Sequence, residues 1–276
     1  MSQPESKTYD AKELAFLYDL YVVPQWRETF DRLVDEELTL PEKGKWLEVE
    51  CGTGGYAVDL ALKGGTKVEV VGVDSSAERL ALARGKAEVK KAERVTFQTG
   101  VPTALDFPSE SFDLVFADAS LLPAASVGEI LVELTRVAKK GATVLLKLAS
   151  RGSFDEFFSL YWEALYNLGL LEYVPQMEAL ITERLLLSDA EQLAKDAGLK
   201  RVHNVTRKER FDFADGQTFI SAPLIETFFL GEWLAALPDA ATRESVKREL
   251  ISLIERERQE RDFDVSIKAT LLVGQK

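Results

Sequence analysis

Apolar residues in this chain fall into two rhythms, short runs of Val, Leu, Ile and Phe and longer stretches in which they recur every three or four positions. The first rhythm predicts strands and the second helices. Residues 10–38 read as one or two amphipathic helices. Leu14, Leu17, Leu20 and Tyr21 form one stripe, Trp26, Phe30, Leu33 and Val34 the next, and Pro24 separates them. A turn at 41–45 leads to strand 46–49, helix 56–63 and strand 67–73. Ser75 and Glu78 have capping-box spacing, so a helix should run from there to about Lys91. Strands 95–98 and 112–116, helix 127–137 and, after the stop signal Lys139-Lys140-Gly141, strand 142–148 continue the alternation. Five strands with helical crossovers predict an open parallel α/β sheet, doubly wound with helices on both faces. Ligands then bind at the carboxyl ends of the strands.

The second half predicts a helix over 154–169, capped by Ser153 with Glu156, and another over 189–197, starting after Ser188 and stopped by Gly198. A strand around 202–206 and a long helical stretch, 223–237 and 239–258, precede a last strand at 264–273. The run IERERQERD at 254–262 reads as the solvated end of a helix. With no repeat or linker, residues 1–276 read as one domain. It divides into an N-terminal helical cap (1–44), a cofactor-binding half (45–150) and a half with a helical insert (151–276).

Composition narrows the function. At 276 residues and 46% hydrophobic, the chain can bury a sizeable core. A net charge of −12 opposes binding to phosphate backbones, so nucleic acid is not the expected partner. No apolar run has the length of a membrane span and the first ten residues hold no hydrophobic signal core, which reads as cytoplasmic. One cysteine, Cys51, and one histidine, His203, exclude an internal disulfide and the usual zinc and thiol-histidine sites. No metal is expected. His203 reads as a hydrogen-bonded structural residue and Cys51 as a small apolar side chain beneath a turn.

Chemistry concentrates at residues 46–60, WLEVECGTGGYAVDL. A strand carrying an acid stops at Gly52-Thr53-Gly54-Gly55 and a helix starts at once. Glycine lets backbone close on a ligand, and the first turn of a helix offers unpaired N–H donors. Asp74, twenty-two residues after Gly52 and at the end of the second strand, is placed for the paired hydroxyls of a ribose. The turn alone leaves several nucleotide-type cofactors open.

Four segments in order, LEVECGTGGYAVDLA, VVGVDSSAERLALAR, ESFDLVFADASL and EILVELTRVAKKGATVLL, resemble the class I S-adenosylmethionine-dependent methyltransferases of the small-molecule, quinone-methyltransferase-like branch. The resemblance implies a Rossmann-like sheet of seven strands, mostly parallel with an antiparallel C-terminal strand, extended by helices in the N-terminal and C-terminal regions. It implies S-adenosylmethionine as cofactor. In and before the turn, Glu48, Glu50, Cys51, Gly52 and Gly54 would meet the methionine part. Asp74 and Ser75 would meet the ribose, and Gly100, Val101 and Pro102 would flank the adenine. The segment Ala117 to Ser120, which contains Asp118, would face the methyl group and the amino acid end. Three positions depart from the pattern. Glu50 replaces the first glycine, Ser75 an apolar residue, and Val101 the acid often found beside adenine. The Glu50 carboxylate could repel the cofactor's carboxylate or pair with its ammonium and sulfonium charges.

Methyl transfer from a sulfonium needs alignment and water exclusion more than a catalytic triad. A base is required only for an acceptor that must lose a proton. The candidate catalytic residues are Tyr18, resembling the tyrosine that related enzymes fold over the cofactor, and Asp118. Each reads equally well as structural, Tyr18 as a core aromatic and Asp118 as a loop or capping carboxylate. Phe154, Phe157, Phe158 and Tyr161, with Trp162, Tyr166, Phe228, Phe229 and Trp233, suggest an apolar or aromatic small-molecule acceptor or, residue by residue, a core stripe. Two other readings stay open. Gly52, Gly54, Ala57 and Asp74 also fit a nicotinamide-dependent reductase, and the departures fit a non-catalytic binding or regulatory protein of the same fold. The N-terminal helices could close over their own site or, in a homodimer, over a neighbour's.

Overall fold

A computed structural model describes residues 9–258 and 262–276. Its centre is a seven-stranded sheet comprising β1 (Gly44–Val49), β2 (Val68–Asp74), β3 (Val95–Thr99), β4 (Phe112–Asp118), β5 (Ala138–Ala149), β6 (Lys200–Phe213) and β7 (Phe263–Gln275). The spatial order is β3-β2-β1-β4-β5-β7-β6. Only β7 runs antiparallel to its neighbours, pairing with β5 on one side and β6 on the other. The order reverses between β1 and β4, whose registers align Val49 with Ala117, while Val49 also pairs with Val73 of β2. The ends of three strands therefore meet at one crevice, the usual ligand position of an open α/β sheet. Trp46 and Leu47 join different core clusters because successive side chains of β1 point to opposite faces, and both faces are covered.

The N-terminal region is a single winding helix rather than two broken at Pro24. It comprises α1 (Ala11–Leu17), a π-helical stretch at Tyr18–Arg27 that contains Pro24, and α2 (Glu28–Glu37). Wider turns accommodate a proline that cannot donate a backbone hydrogen bond. The buried stripe is Ala15, Tyr18, Val22, Trp26, Phe30, Leu33 and Val34, while Leu14 and Leu20 are exposed. The second expected stripe is thus the core stripe, and the first is displaced onto the outer flank.

Several local expectations give way to tertiary contacts. Helix α3 occupies Gly55–Gly64, but α4 (Ala77–Val89) is capped by Ser76, whose Oγ accepts from the Arg79 N–H, and not by Ser75. The residues read as a stop, Lys139-Lys140-Gly141, belong to β5, where the register shifts beside β4 and Gly141 takes φ 82°. Helix α5 (Val127–Val137) precedes them. Ser153 does not cap α6 (Asp155–Asn167); its Oγ donates to Ser150 O and accepts from Lys268 N, while Glu156 accepts from Ser266 N and Oγ of β7. That pair ties the helix to the sheet. The helix predicted from Asp189 begins earlier, at Leu187–Asp196, with no side-chain cap from Ser188. Strand β6 is far longer than 202–206, because its charged residues occupy a sheet edge that tolerates them. The stretch 223–237 is Pro223–Ile225, a π turn at Glu226–Leu230 and Gly231–Trp233, followed by the helix Ala240–Arg258. Part of the charge-rich run, 259–261, lies outside the described residues, as do most of the first ten. Among the described residues no helix is long and apolar enough to cross a membrane.

Lys147 sits near the carboxyl end of β5 with only 1% of its surface exposed, paired with Asp31 of α2 and lying 4.6 Å from the Tyr56 ring centroid. A buried cation stripped of its partner is costly. Asp31→Asn is expected to lower stability by about 3 kcal/mol in urea denaturation, and Asp31→Asn with Lys147→Met to recover most of it.

Candidate active site

After Val49 the backbone turns sharply, with Glu50 at φ 55°, Gly52 at 59° and Gly54 at 70°. Left-handed backbone is cheap for glycine and costs a residue with a Cβ about 1 kcal/mol or more. Glu50 thus occupies a position whose conformation favours the glycine it replaces. The two glycines are required by this chain's own packing. A Cβ on Gly52 would lie 2.8 Å from the Tyr18 ring and 3.3 Å from Arg27 Nη1, and one on Gly54 would lie 2.5 Å from Ala83 Cβ and 2.7 Å from Phe97. The N-terminal helix and α4 close directly on the turn.

Arg27 is the centre of that closure. Its Nη1 donates to Tyr18 Oη at 3.0 Å and to the Glu50 carbonyl at 2.7 Å, and its Nη2 to Glu48 Oε1 at 3.1 Å. Asp118 Oδ2 stands 3.5 Å from the same guanidinium. Asp118 is held by Ser120, whose N–H and Oγ–H both donate to Oδ1 at 3.0 and 2.5 Å. Ser120 Oγ in turn accepts from Trp26 Nε1 at 2.8 Å. Oδ2 has no hydrogen-bond partner among the described residues. On the outer side of the turn, Thr53 Oγ1 and Lys86 Nζ both donate to Asp19.

Asp74 is fully buried at the end of β2. Its carboxylate accepts from Gly52 N–H and Ser76 N–H, both at 2.8 Å, and pairs with Arg79 Nη2 at 2.7 Å. Arg79 also lies 3.8 Å from Glu50 Oε2 and 4.8 Å from the Tyr18 ring centroid. Gly100 N–H donates to Asp74 O at 3.1 Å. Burial raises the Glu50 carboxyl to about 7, helped by neighbouring Asp74 and opposed by Arg79 and Arg27. Burial likewise pushes Glu48 upward against Lys147 and Arg27, and lifts the Tyr18 hydroxyl to about 12, so the phenol stays protonated.

A cavity of about 580 Å³ opens at this crevice. Tyr18, Glu50, Ser75, Val101, Pro102 and Asp118 line it, together with Arg27 and Arg79. Glu48, Cys51, Gly52, Gly54, Asp74 and Ala117 are buried in the turn and strand ends around them. Apolar side chains, among them Leu121, Leu148, Leu180, Phe228, Phe229 and Trp233, complete much of the lining. Of the aromatic group, Phe154, Phe157, Phe158 and Tyr161 are core residues, and Trp162 and Tyr166 form an exposed stacked pair. His203 is exposed on β6, its Nδ1 3.2 Å from Arg201 O. Burial pushes the Cys51 thiol well up, which leaves it unreactive. Among the described residues no cluster of His, Cys, Asp or Glu could hold a metal.

Sequence reasoning did not reach Arg27 or Arg79, and it read Trp26 as a helix-stripe residue and Ser120 as the end of the segment facing the methyl group without foreseeing their hydrogen bond. The acids offered one signal, since Glu48 inside a buried strand demands a cation. Nothing in the spacing said that it would come from the N-terminal helix.

Comparison with known proteins agrees with this geometry. The profile of a family described as a methyltransferase domain matches residues 41–178. A demethylmenaquinone methyltransferase of Bacillus cytotoxicus is 28% identical over 187 residues, 64% of this chain and 77% of that protein. Another of Anoxybacillus flavithermus is 33% identical over 122 residues, and the match spans 44% of this chain and about half, 52%, of the relative. The solved YcgJ protein of a Bacillus species shares the fold at TM-score 0.59 and 18% identity, covering 90% of this chain and 98% of that one.

Because the folded state holds the Glu50 carboxyl near 7, above its ordinary 4.5, its contribution to stability is present below about pH 4.5 and is lost as pH rises through 7. Glu50→Gln is expected to raise the melting temperature at pH 8, by up to about 3 kcal/mol of stability, with the gain vanishing at pH 4.5.

Proposed function

The chain belongs to the methyltransferase-domain family and is an S-adenosylmethionine-dependent methyltransferase of the small-molecule type, and from that premise we propose that it methylates a small, apolar or aromatic acceptor seated against Phe228, Phe229 and Trp233. One observation carries the reading: a single cavity joins the acids at the carboxyl ends of β1 and β4 to that aromatic wall. The names of the similar demethylmenaquinone methyltransferases, which point to a quinone-type acceptor, agree with an apolar wall. Family membership disfavours both the nicotinamide-reductase and the non-catalytic alternatives.

The residues fit the cofactor. Glu50 and Asp118 line the cavity as carboxylates for a cationic ammonium and sulfonium, Asp118 Oδ2 having the Arg27 guanidinium at 3.5 Å but no hydrogen bond among the described residues, and Arg79 Nε is a buried donor with no hydrogen-bond partner among them. Asp74, with Arg79 paired to it, would hold the ribose beside Ser75. Gly100, Val101 and Pro102 would flank the adenine, and Glu48, Cys51, Gly52, Gly54 and Ala117 would shape the methionine pocket. Bound there, S-adenosylmethionine supplies a methyl group on a positively charged sulfur, already activated for displacement.

The protein's contribution is alignment, which supplies roughly 7 to 11 kcal/mol in well-oriented reactions. Tyr18, locked by Arg27 and packed 6.0 Å from Phe228, covers the turn and excludes water. Its hydroxyl stays protonated, accepts from Arg27 and does not serve as a base. Asp118 Oδ2 is the group placed to accept a proton from an acceptor that must lose one. The N-terminal helix would cap its own chain's site in one domain comprising the cap (1–44), the cofactor half (45–150) and the acceptor half (151–276). The setting would be cytoplasmic, with no nucleic-acid partner.

Titration calorimetry tests the reading. S-adenosylmethionine and S-adenosylhomocysteine should bind and oxidised nicotinamide cofactor should not. Glu50→Gln should weaken S-adenosylmethionine by about 1.5 to 3 kcal/mol at pH 8, and the uncharged-sulfur product by less. Absence of heat from both sulfur cofactors overturns the proposal.

A further inference from the structure

Three arginines line the cavity, and two are spoken for. Arg27 is matched by Glu48 and Asp118, and Arg79 by Asp74 and Glu50. Arg184, in the segment between the helices Val174–Thr182 and Leu187–Asp196, is different. Its Nε is buried with no hydrogen-bond partner among the described residues, and no carboxylate of those residues lies within 4 Å of its guanidinium. What holds it is weak or neutral: a long 3.4 Å contact from Nη1 to Ala149 O, and the Phe154 ring with its centroid 5.6 Å from Cζ. Its backbone is fixed independently, the Arg184 carbonyl accepting from Arg151 Nε at 3.1 Å. Two carboxylates, Glu183 and Glu232, line the same cavity; Glu232 acts on Arg184 through its field without ion-pair contact.

A guanidinium stays charged at any working pH, and holding this one half-buried with no carboxylate in ion-pair contact leaves its fixed donors under-used. The charge persists beside Leu148, Leu180, Phe229 and Trp233, the wall assigned above to the acceptor. A guanidinium there matches the planar, two-point geometry of an oxyanion. Resting on the methyltransferase reading, we infer that Arg184 is the specificity-determining residue of the acceptor subsite, and that the acceptor is an aromatic or apolar small molecule bearing an anionic oxygen group, such as a carboxylate or phenolate, which Arg184 holds. The inference concerns binding and orientation alone.

The test pairs 2-naphthoate with its uncharged counterpart 2-naphthamide, titrated into the full chain with saturating S-adenosylhomocysteine and read by tryptophan fluorescence, for which Trp233 lies in the cavity wall. The wild-type protein should bind naphthoate about tenfold or more tightly than naphthamide. Arg184→Met should abolish that preference while leaving naphthamide binding within about twofold, and Arg184→Lys should restore part of it. Equal binding of the two probes, binding of neither, or a preference that survives in Arg184→Met overturns the inference. S-adenosylhomocysteine is titrated by calorimetry into the same protein preparations before either probe is added. Its binding without probe discrimination defeats the Arg184 assignment only, whereas its failure to bind defeats the methyltransferase reading beneath it.

Discussion

The site depends on one buried guanidinium. Arg27 reaches from the N-terminal helix across the glycine turn and binds, in a single constellation, a carbonyl of the turn, the Tyr18 hydroxyl and the acid of β1, with the acid of β4 beside it. Buried carboxylates are costly when unpaired, and arginine alone among the side chains offers enough fixed donors to serve several partners at once. The helical cap is therefore bound to the sheet by the charges that equip the site. Lys147 repeats the arrangement one strand away, joining β5 to α2 through Asp31.

This closure explains the glycines differently from a simple ligand cradle. Gly52 leaves room for Tyr18 and Arg27, and Gly54 for Ala83 and Phe97. The turn is shaped by protein on both sides, and the cavity face beside it is lined by Glu50, Ser75 and Asp118. Glu50 accepts left-handed strain and a raised ionisation point in return for placing a carboxylate at that face. Its neighbour Arg79 connects it to Asp74, so the ends of β1 and β2 share one charge system.

Much of this was legible in the chain. The succession of the first five strands along the chain and their parallel sheet, the glycine turn, the acids at the ends of β2 and β4 and the reversed last strand follow from period-two runs, punctuation and the family resemblance. What was hidden involved long-range partners. Pro24 reads as a break because its backbone cost is local, whereas the π winding that absorbs it is held by Tyr18, Trp26 and Arg27 packing elsewhere. Only 202–206 of the edge strand β6 reads as strand, because the charged residues beyond it need no core. Ser153 and Glu156 carry a capping pattern but spend their hydrogen bonds on β7, more than a hundred residues away. The surroundings of Glu50 include Arg79, 3.8 Å away, which no spacing rule brings to it.

Arg27→Lys tests the central claim most directly, since it keeps the charge and removes the fork. Calorimetric titration of S-adenosylhomocysteine into this variant, with folding checked by its thermal transition, is predicted to show affinity reduced by about tenfold or more as Tyr18 and the Glu50 carbonyl lose their shared donor. A folded Arg27→Lys protein that binds the cofactor as tightly as the wild type would contradict the account.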